Sequence, residues 1–254
     1  MKKVAIVTGA SSGIGFQTAL ALAEEGFDIA ALSLHDEDGF QRLTEEIAAR
    51  GREIKCYDFD LKLIEHHEQI VKRVLDAFGR VDCLVNNAGV SVLRRGDLLE
   101  MTPESYDRCF DVNTRGTFFL SQCVAKHMVA QSSVNSHRSI VFVTSSNAVA
   151  ATVERGEYCM AKTALSMAAK LFAIRMAPHG VCVYEVQPGL ILTEMTVPSK
   201  EKYDKLIAQG MTLDQRWGLP QDVARVIRTM ASGLLPYTVG QEVRVDGGLL
   251  MTRF

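Results

Sequence analysis

The sequence predicts an α/β protein: a single doubly wound domain, built on a seven-stranded parallel sheet with helices on both faces. Two patterns carry this reading. Short apolar, β-branched runs alternate with helix-length amphipathic segments seven times between residues 3 and 245, the rhythm of βαβ units with right-handed crossovers. The first run, 3–8, ends in Thr8-Gly9-Ala10-Ser11-Ser12-Gly13-Ile14-Gly15, a glycine turn leading directly into a helical segment, 16–25. At 254 residues and 47% hydrophobic content the chain can bury a large core, and no repeat, low-complexity stretch or composition shift divides 1–254 into smaller units.

The elements follow in order. Glycines let the main chain approach a ligand, and the amides opening the helix after the turn form an anion site suited to a pyrophosphate. The G-x-x-x-G-x-G spacing differs from the G-x-G-x-x-G fingerprint but serves the same mechanism. A second strand, 29–33, ends where doubly wound folds meet an adenosine ribose. An acid there selects NAD, whereas this chain has Ser33-Leu34-His35 and no carboxylate before Asp36. NADP is therefore expected, with NAD possible. A helix over 37–50, capped by Gly51, precedes a third strand, 53–57, and Asp58-Phe59-Asp60-Leu61. The next helix, 62–78, carries adjacent His66 and His67, which point about 100° apart, cannot share a metal and are read as surface residues.

Strand 82–85 runs into Asn86-Asn87-Ala88-Gly89, placing amide side chains at a strand end beside a small-residue gap. After a loop, 91–101, Thr102 caps and Pro103 opens a helix that continues to 130 with Asn113 in its middle, an unfavourable place for asparagine. That residue is either turned to solvent or placed for a purpose. A polar loop, 131–138, precedes strand 139–144, which ends at Ser145-Ser146-Asn147, the sheet edge where open α/β folds bind ligands. The helix 161–177 and strand 181–186 lead to Gln187-Pro188-Gly189. The segment 190–217 has no strand pattern, and its length suits a substrate lid. Its Met195, Met211 and Trp217 are either an adaptable pocket lining or core. A helix over 221–231 and a strand over 242–245 complete the pattern.

One pair of side chains has chemistry in its spacing. Tyr158 and Lys162 are four residues apart at the start of the 161–177 helix and project from one face. A phenol titrating near ~10 is a poor acid or base at neutral pH, and a neighbouring ammonium favours its ionised form. The pair is a candidate acid/base unit.

Composition narrows the partners. A formal net charge of −2 gives no electrostatic reason for nucleic acid or an anionic membrane, and no apolar stretch reaches the length of a membrane span or signal peptide. The six cysteines form no CxxC and are read as reduced residues of a cytoplasmic protein, with no metal site.

The sequence resembles the short-chain dehydrogenase/reductase family over essentially its whole length. The likeness rests on Thr8-Gly9-x-x-x-Gly13-x-Gly15, Asn86-Asn87-Ala88-Gly89, Asn113, Ser145, Tyr158-x-x-x-Lys162 and Pro188-Gly189, in family order. It is most similar to the 3-oxoacyl-acyl-carrier-protein reductase group. The resemblance implies a Rossmann-type fold and a catalytic set of Asn113, Ser145 (Ser146 being the runner-up), Tyr158 and Lys162. Ser145 would hold the substrate oxygen and Tyr158 would exchange its proton. Lys162 would lower the phenol's pKa and bind the nicotinamide ribose, and Asn113 would hold a water that reconnects Lys162 to solvent. Gly9, Ser11, Ser12, Gly13, Ile14 and Gly15 would form the pyrophosphate turn. Ser33, Asp60 and Leu61 would meet the adenosine, Asn87, Ala88 and Gly89 would line the cofactor, and Pro188, Gly189, Ile191 and Thr193 would close over the nicotinamide.

The expected function is reversible hydride transfer between NAD(P)H and a ketone or secondary alcohol, with a 3-oxoacyl or other carbonyl substrate. A sugar, polyol or steroid alcohol dehydrogenase is the alternative, and a non-catalytic dinucleotide sensor is a second one. The resemblance also implies a homotetramer, and small residues Ala161, Ala164, Ala168 and Ala169 are expected on the helix face that meets a partner.

Overall fold

A computed structural model describes residues 2–131 and 137–252. β1 (Lys3–Thr8) is buried along nearly its whole length and turns at Gly9 into α1 (Gly13–Glu24). β2 (Phe27–Ser33), α2 (Glu37–Ala49) and β3 (Ile54–Asp58) follow, α2 being capped by Asp36, whose carboxylate accepts from the Gly39 amide at 2.9 Å. α3 (His67–Phe78) and β4 (Cys83–Asn86) complete the first half. The second half runs through α4 (Pro103–Phe110), α5 (Thr117–Ala130), β5 (Arg138–Val143), α6 (Gly156–Met176) and β6 (Val181–Pro188). α7 (Lys200–Ala208), α8 (Pro220–Ser232) and β7 (Glu242–Val245) close the fold.

All seven strands pair in parallel, in the order β3-β2-β1-β4-β5-β6-β7. Strands covered on both faces must be apolar along their length, which is why β1, β4 and β5 read as unbroken hydrophobic runs. One core layer, including Leu84, Phe142 and Phe172, packs α3, α5 and α6 against one face. The other, including Leu22, Phe27 and Ile227, packs α1, α2 and α8 against the opposite face. The direction in which the chain steps across the sheet reverses between β1 and β4, so the connections leaving their carboxyl ends run to opposite faces and leave a crevice.

Four expectations change. The helix read over 62–78 begins with a 3₁₀ turn at Ile64–His66, and of the two histidines only His66 is exposed. His67 is fully buried under Phe59, with Nε2 2.9 Å from the Leu61 carbonyl, and burial holds its pKa below the usual histidine value. It anchors the loop after β3 and is not a surface residue. The helix read across 102–130 is interrupted by a π-helical segment, Asp111–Gly116, and Asn113 within it is fully buried, on the face shared with Cys109 and Thr117. Of the polar loop expected over 131–138, residues 132–136 lie outside the described residues, and Arg138 belongs to β5. On α6, finally, Ala161, Ala168 and Ala169 face the core, and Met160, Met167, Leu171 and Ile174 form the outward face. All six cysteines are free, and no helix among the described residues is long and apolar enough to cross a membrane.

The π segment fits because Gly116 lets it press on the loop after β3: a Cβ there would lie 2.3 Å from the Leu61 carbonyl oxygen. Gly116→Ala should therefore lower the urea midpoint by the equivalent of about 1–3 kcal/mol with an unchanged denaturant slope. An unaltered midpoint would show that this contact yields freely.

Candidate active site

The crevice is a cleft of about 560 Å³ along the carboxyl edge of the sheet. Its first wall is the turn after β1. Gly9 and Gly13 have φ of +64° and +53°, conformations that favour glycine. At Gly15 a Cβ would sit 1.9 Å from the Gly9 carbonyl oxygen, so the turn closes this tightly only without a side chain there. The Thr8 hydroxyl accepts from the Asn87 and Ala88 amides, both at 3.0 Å, and the Asn87 Nδ2 donates to the carbonyls of Thr8 (2.9 Å) and Gly9 (3.2 Å). The Asn87 amide thus ties the β1 turn to the end of β4. This cradle is shaped for an anionic group laid on backbone amides, and the donor set fits a pyrophosphate.

Most of the expected cofactor residues line the cleft: Gly9, Ser12, Gly13, Ile14, Ser33, Asp60, Leu61, Asn87, Ala88, Gly89, Pro188, Gly189, Ile191 and Thr193. Ser11 and Gly15 do not. Ser11 is buried behind the turn, its hydroxyl 2.9 Å from that of Ser33, and Gly15 serves the turn's shape. Met195 and Met211 line the cleft. Trp217 stands outside it, edge-on to Tyr203 and donating from Nε1 to Asp204 at 2.6 Å.

At the other end, Ser145 follows β5 and Tyr158 and Lys162 point inward from α6. The Ser145 Oγ accepts from the Asn147 amide at 3.1 Å, and its hydroxyl, unlike that of its neighbour Ser146, favours the ionised form of the Tyr158 phenol. Burial pushes the Tyr158 pKa up, while the charge of Arg155 and the Ser145 hydroxyl pull it back. The Arg155 guanidinium lies 4.9 Å from the phenol ring centroid and the Lys162 ammonium 5.8 Å, so two cations flank the ring, one of them absent from the sequence reading. Spacing was the available signal, since Arg155 stands one helical turn before Tyr158.

Lys162 is 3% exposed and donates to the Val143 carbonyl at 3.0 Å. Burial lowers its pKa to about 8, with Cys109 and Glu185 opposing that shift. Glu185 is a second residue the sequence reading missed. It is buried within β6 and accepts from Thr144 (2.6 Å), Ser166 (2.8 Å) and Gln187 (2.9 Å). A carboxylate in an otherwise apolar parallel strand was the signal for it. Asn113 does not line the cleft. Beneath it, Asn113 accepts from the Val90 amide (2.8 Å) and donates to the Val90 carbonyl (2.9 Å), and a Cβ on Gly89 would fall 2.9 Å from its Oδ1 and 3.4 Å from the Lys162 Nζ. No group of metal-ligating side chains occurs among the described residues.

A doubly wound sheet, a glycine cradle at its switch point and a serine–phenol–ammonium cluster at the far end together define a nicotinamide-dependent oxidoreductase. Residues 3–204 match the short chain dehydrogenase family, and the chain belongs to it. It is 32% identical to a 3-oxoacyl-[acyl-carrier-protein] reductase of Staphylococcus epidermidis over 99% of this chain and 100% of that one. It is also 32% identical to a 2-dehydro-3-deoxy-D-gluconate 5-dehydrogenase of Escherichia coli, covering 98% and 95%. The crystal structure of a 3-oxoacyl-[acyl-carrier protein] reductase from Brucella melitensis in complex with NAD superposes with a TM-score of 0.96 at 39% identity, covering 100% and 99%. Solved relatives hold NAD in one case and NADP in another, and the cleft is an NAD(P) site.

Because the folded-state pKa of Lys162 lies below its ordinary value of 10.5, its burial costs stability at pH values below about 8, and that cost vanishes as pH rises through 10.5. Lys162→Met should thus stabilise the ligand-free protein at neutral pH by about 1–3 kcal/mol, less whatever the unpaired Val143 carbonyl costs. Thermal unfolding across pH 7 to 10.5 checks this: the gain should shrink with rising pH, and a variant less stable than the parent at neutral pH would contradict the assignment.

Proposed function

We propose that the protein reduces a ketone to a secondary alcohol, and runs the reverse, with Asn113, Ser145, Tyr158 and Lys162 as its catalytic set. The observation that supports this most directly is the placement of Ser145, Tyr158 and Lys162 together at one end of a cleft whose other end is the glycine cradle. The dinucleotide, when bound, supplies the hydride. Gly9, Ser12, Gly13 and Ile14 would hold its pyrophosphate, Ser33, Asp60 and Leu61 its adenosine, and Lys162 with residues 188–193 its nicotinamide half.

The substrate oxygen sits between the two hydroxyls. Ser145 donates to it, and Tyr158 delivers the proton that converts developing alkoxide to alcohol. Lys162 and Arg155 keep positive charge beside the phenol while it is anionic. Asn113, fixed to Val90 and next to Lys162, has a free lone pair on Oδ1 for a water that returns a proton from solvent.

Similarity to 3-oxoacyl reductases supports 3-oxoacyl compounds as the first carbonyl class, and similarity to the deoxygluconate dehydrogenase supports sugar-derived alcohols as the second. Residues 190–217 act as the lid, with Met195 and Met211 as its adaptable surface. NADP is the favoured cofactor, because Asp36 is drawn into the cap of α2 and leaves Ser33, paired with Ser11, at the ribose end of the cleft. With Leu34 rather than a base following Ser33, the preference is small and NAD is also used.

Two outcomes are expected. Tyr158→Phe should slow hydride transfer by about 10²–10⁴ in single-turnover assays with NADPH or NADH, while dinucleotide affinity changes by less than roughly threefold. Undiminished turnover would remove the phenol from the mechanism. The exposed row Met160, Met167, Leu171 and Ile174 supports a homotetramer assembled through α6. Light scattering should give four chains per particle, and Ile174→Glu should lower that number. A monomeric parent protein would refute the assembly.

A further inference from the structure

The cleft is lined by three arginines, Arg95, Arg108 and Arg155, the last of them against Tyr158, in a chain whose formal net charge is −2. Arg95 and Arg155 are both half-buried and lie on segments joined through backbone, the Gly96 amide donating to the Glu154 carbonyl at 3.4 Å. Arg155 is held in place. Its guanidinium donates to the Asn147 Oδ1, stacks over the Tyr158 ring 4.9 Å from the centroid, and Asn147 is itself fixed by its Nδ2 donating to the Ala150 carbonyl at 2.9 Å.

Among the described residues no carboxylate neutralises either guanidinium. The neighbouring acids are engaged elsewhere: Glu154 with Lys202 at 3.1 Å, Glu100 with Arg94 at 3.9 Å, and buried Glu157 accepting from the Ser105 hydroxyl at 2.5 Å. Two acids line the cleft as a whole. Asp60 is paired with Lys62 at 3.7 Å, and Glu194, on the lid, is exposed to solvent that screens it. Half-buried guanidinium groups without a counter-charge are poorly compensated for lost hydration, and the ligand that compensates them is an oxyanion, which they bind through charge-assisted, often bidentate hydrogen bonds.

We infer that the substrate of this site is an anion, a ketone or secondary alcohol carrying a carboxylate or phosphate that Arg95 and Arg155 hold. Because Arg155 lies against the ring of the proton-donating tyrosine, the charged group sits only a few bonds from the carbonyl carbon. The inference rests on the ketone-reducing reading above and narrows it from neutral acyl chains toward oxo acids and ketose phosphates. It assigns Arg155 a second role besides flanking the phenol.

The test compares matched pairs: oxo acids with the ketone at increasing distance from the carboxylate, each against its methyl ester, and a ketose phosphate against the free ketose. The expected kcat/KM for the anion exceeds that for its neutral partner by about tenfold or more, and the preferred anion shows which oxyanion the site takes. Arg155→Gln and Arg95→Gln should each lower that ratio by about tenfold, with Arg155→Lys keeping part of it, and added salt should lower it in the parent protein. Neutral partners served as well as anions, or ratios unmoved by Arg155→Gln, would overturn the inference. If no carbonyl compound is reduced at all, the oxidoreductase mechanism fails separately. Calorimetric binding of the same pairs to the protein–NADPH complex then decides the matter: selective binding of the anions, lost in the arginine variants, upholds the arginine site, and equal binding of both members overturns it.

Discussion

Everything at the carboxyl edge of this sheet depends on one small set of hydrogen bonds, those joining Thr8 and Asn87. The connections that leave the strands on either side of a switch point run to opposite faces, and nothing in the sheet itself fixes how far apart they stand. Here the Thr8 hydroxyl receives two amides from the end of β4, and the Asn87 side chain returns two bonds to the β1 turn. The glycine cradle is thereby locked at a set distance from Ala88 and Gly89, and through Gly89 from Asn113 and Lys162. The cradle and the proposed reacting groups share one rigid origin. The result is preorganisation, the property that lets hydrogen-bond donors stabilise developing charge without moving to do so.

The reacting end shows the opposite economy. Tyr158 and Lys162 are buried at a cost, visible in a phenol pushed toward its neutral form and an ammonium whose pKa falls to about 8. Glu185 beneath them is satisfied by three neighbours and adds negative charge where Lys162 needs it. Withholding water brings Lys162 toward working pH but moves the phenol away from it, so the phenol relies on its neighbours Arg155 and Ser145 for the opposing pull, and burying the lysine gives up stability. The arginines at the mouth extend the same logic outward, with positive charge waiting for a substrate that brings its own counter-charge.

Much of this was legible in the chain because it depends on local order. Glycine spacing marks the turn, strand ends mark Ser145 and Asn87, and the four-residue step from Tyr158 to Lys162 needs only a helix. What escaped depends on distant partners. His67 looks like its exposed neighbour until the Leu61 carbonyl is seen to fold over it. The π segment at Asp111–Gly116 carries no mark in the chain, and the burial of Asn113 within it shows only once the helix is packed. Arg155 gained its place only when the segment before α6 folded back against Asn147. The alanines of α6 gave an apolar signal without saying which way they face: Ala161, Ala168 and Ala169 face the core, and Ala164 is half-buried.

The central claim is spatial: an oxygen of the substrate stands between the hydroxyls of Ser145 and Tyr158 with the nicotinamide ring beside them. A crystal structure of the protein with oxidised dinucleotide and an alcohol tests it most directly. The account requires the alcohol oxygen within hydrogen-bonding distance of both hydroxyls and the pyrophosphate on the turn from Gly9 to Gly15. An alcohol bound elsewhere, or a nicotinamide ring turned away from residue 158, would contradict it.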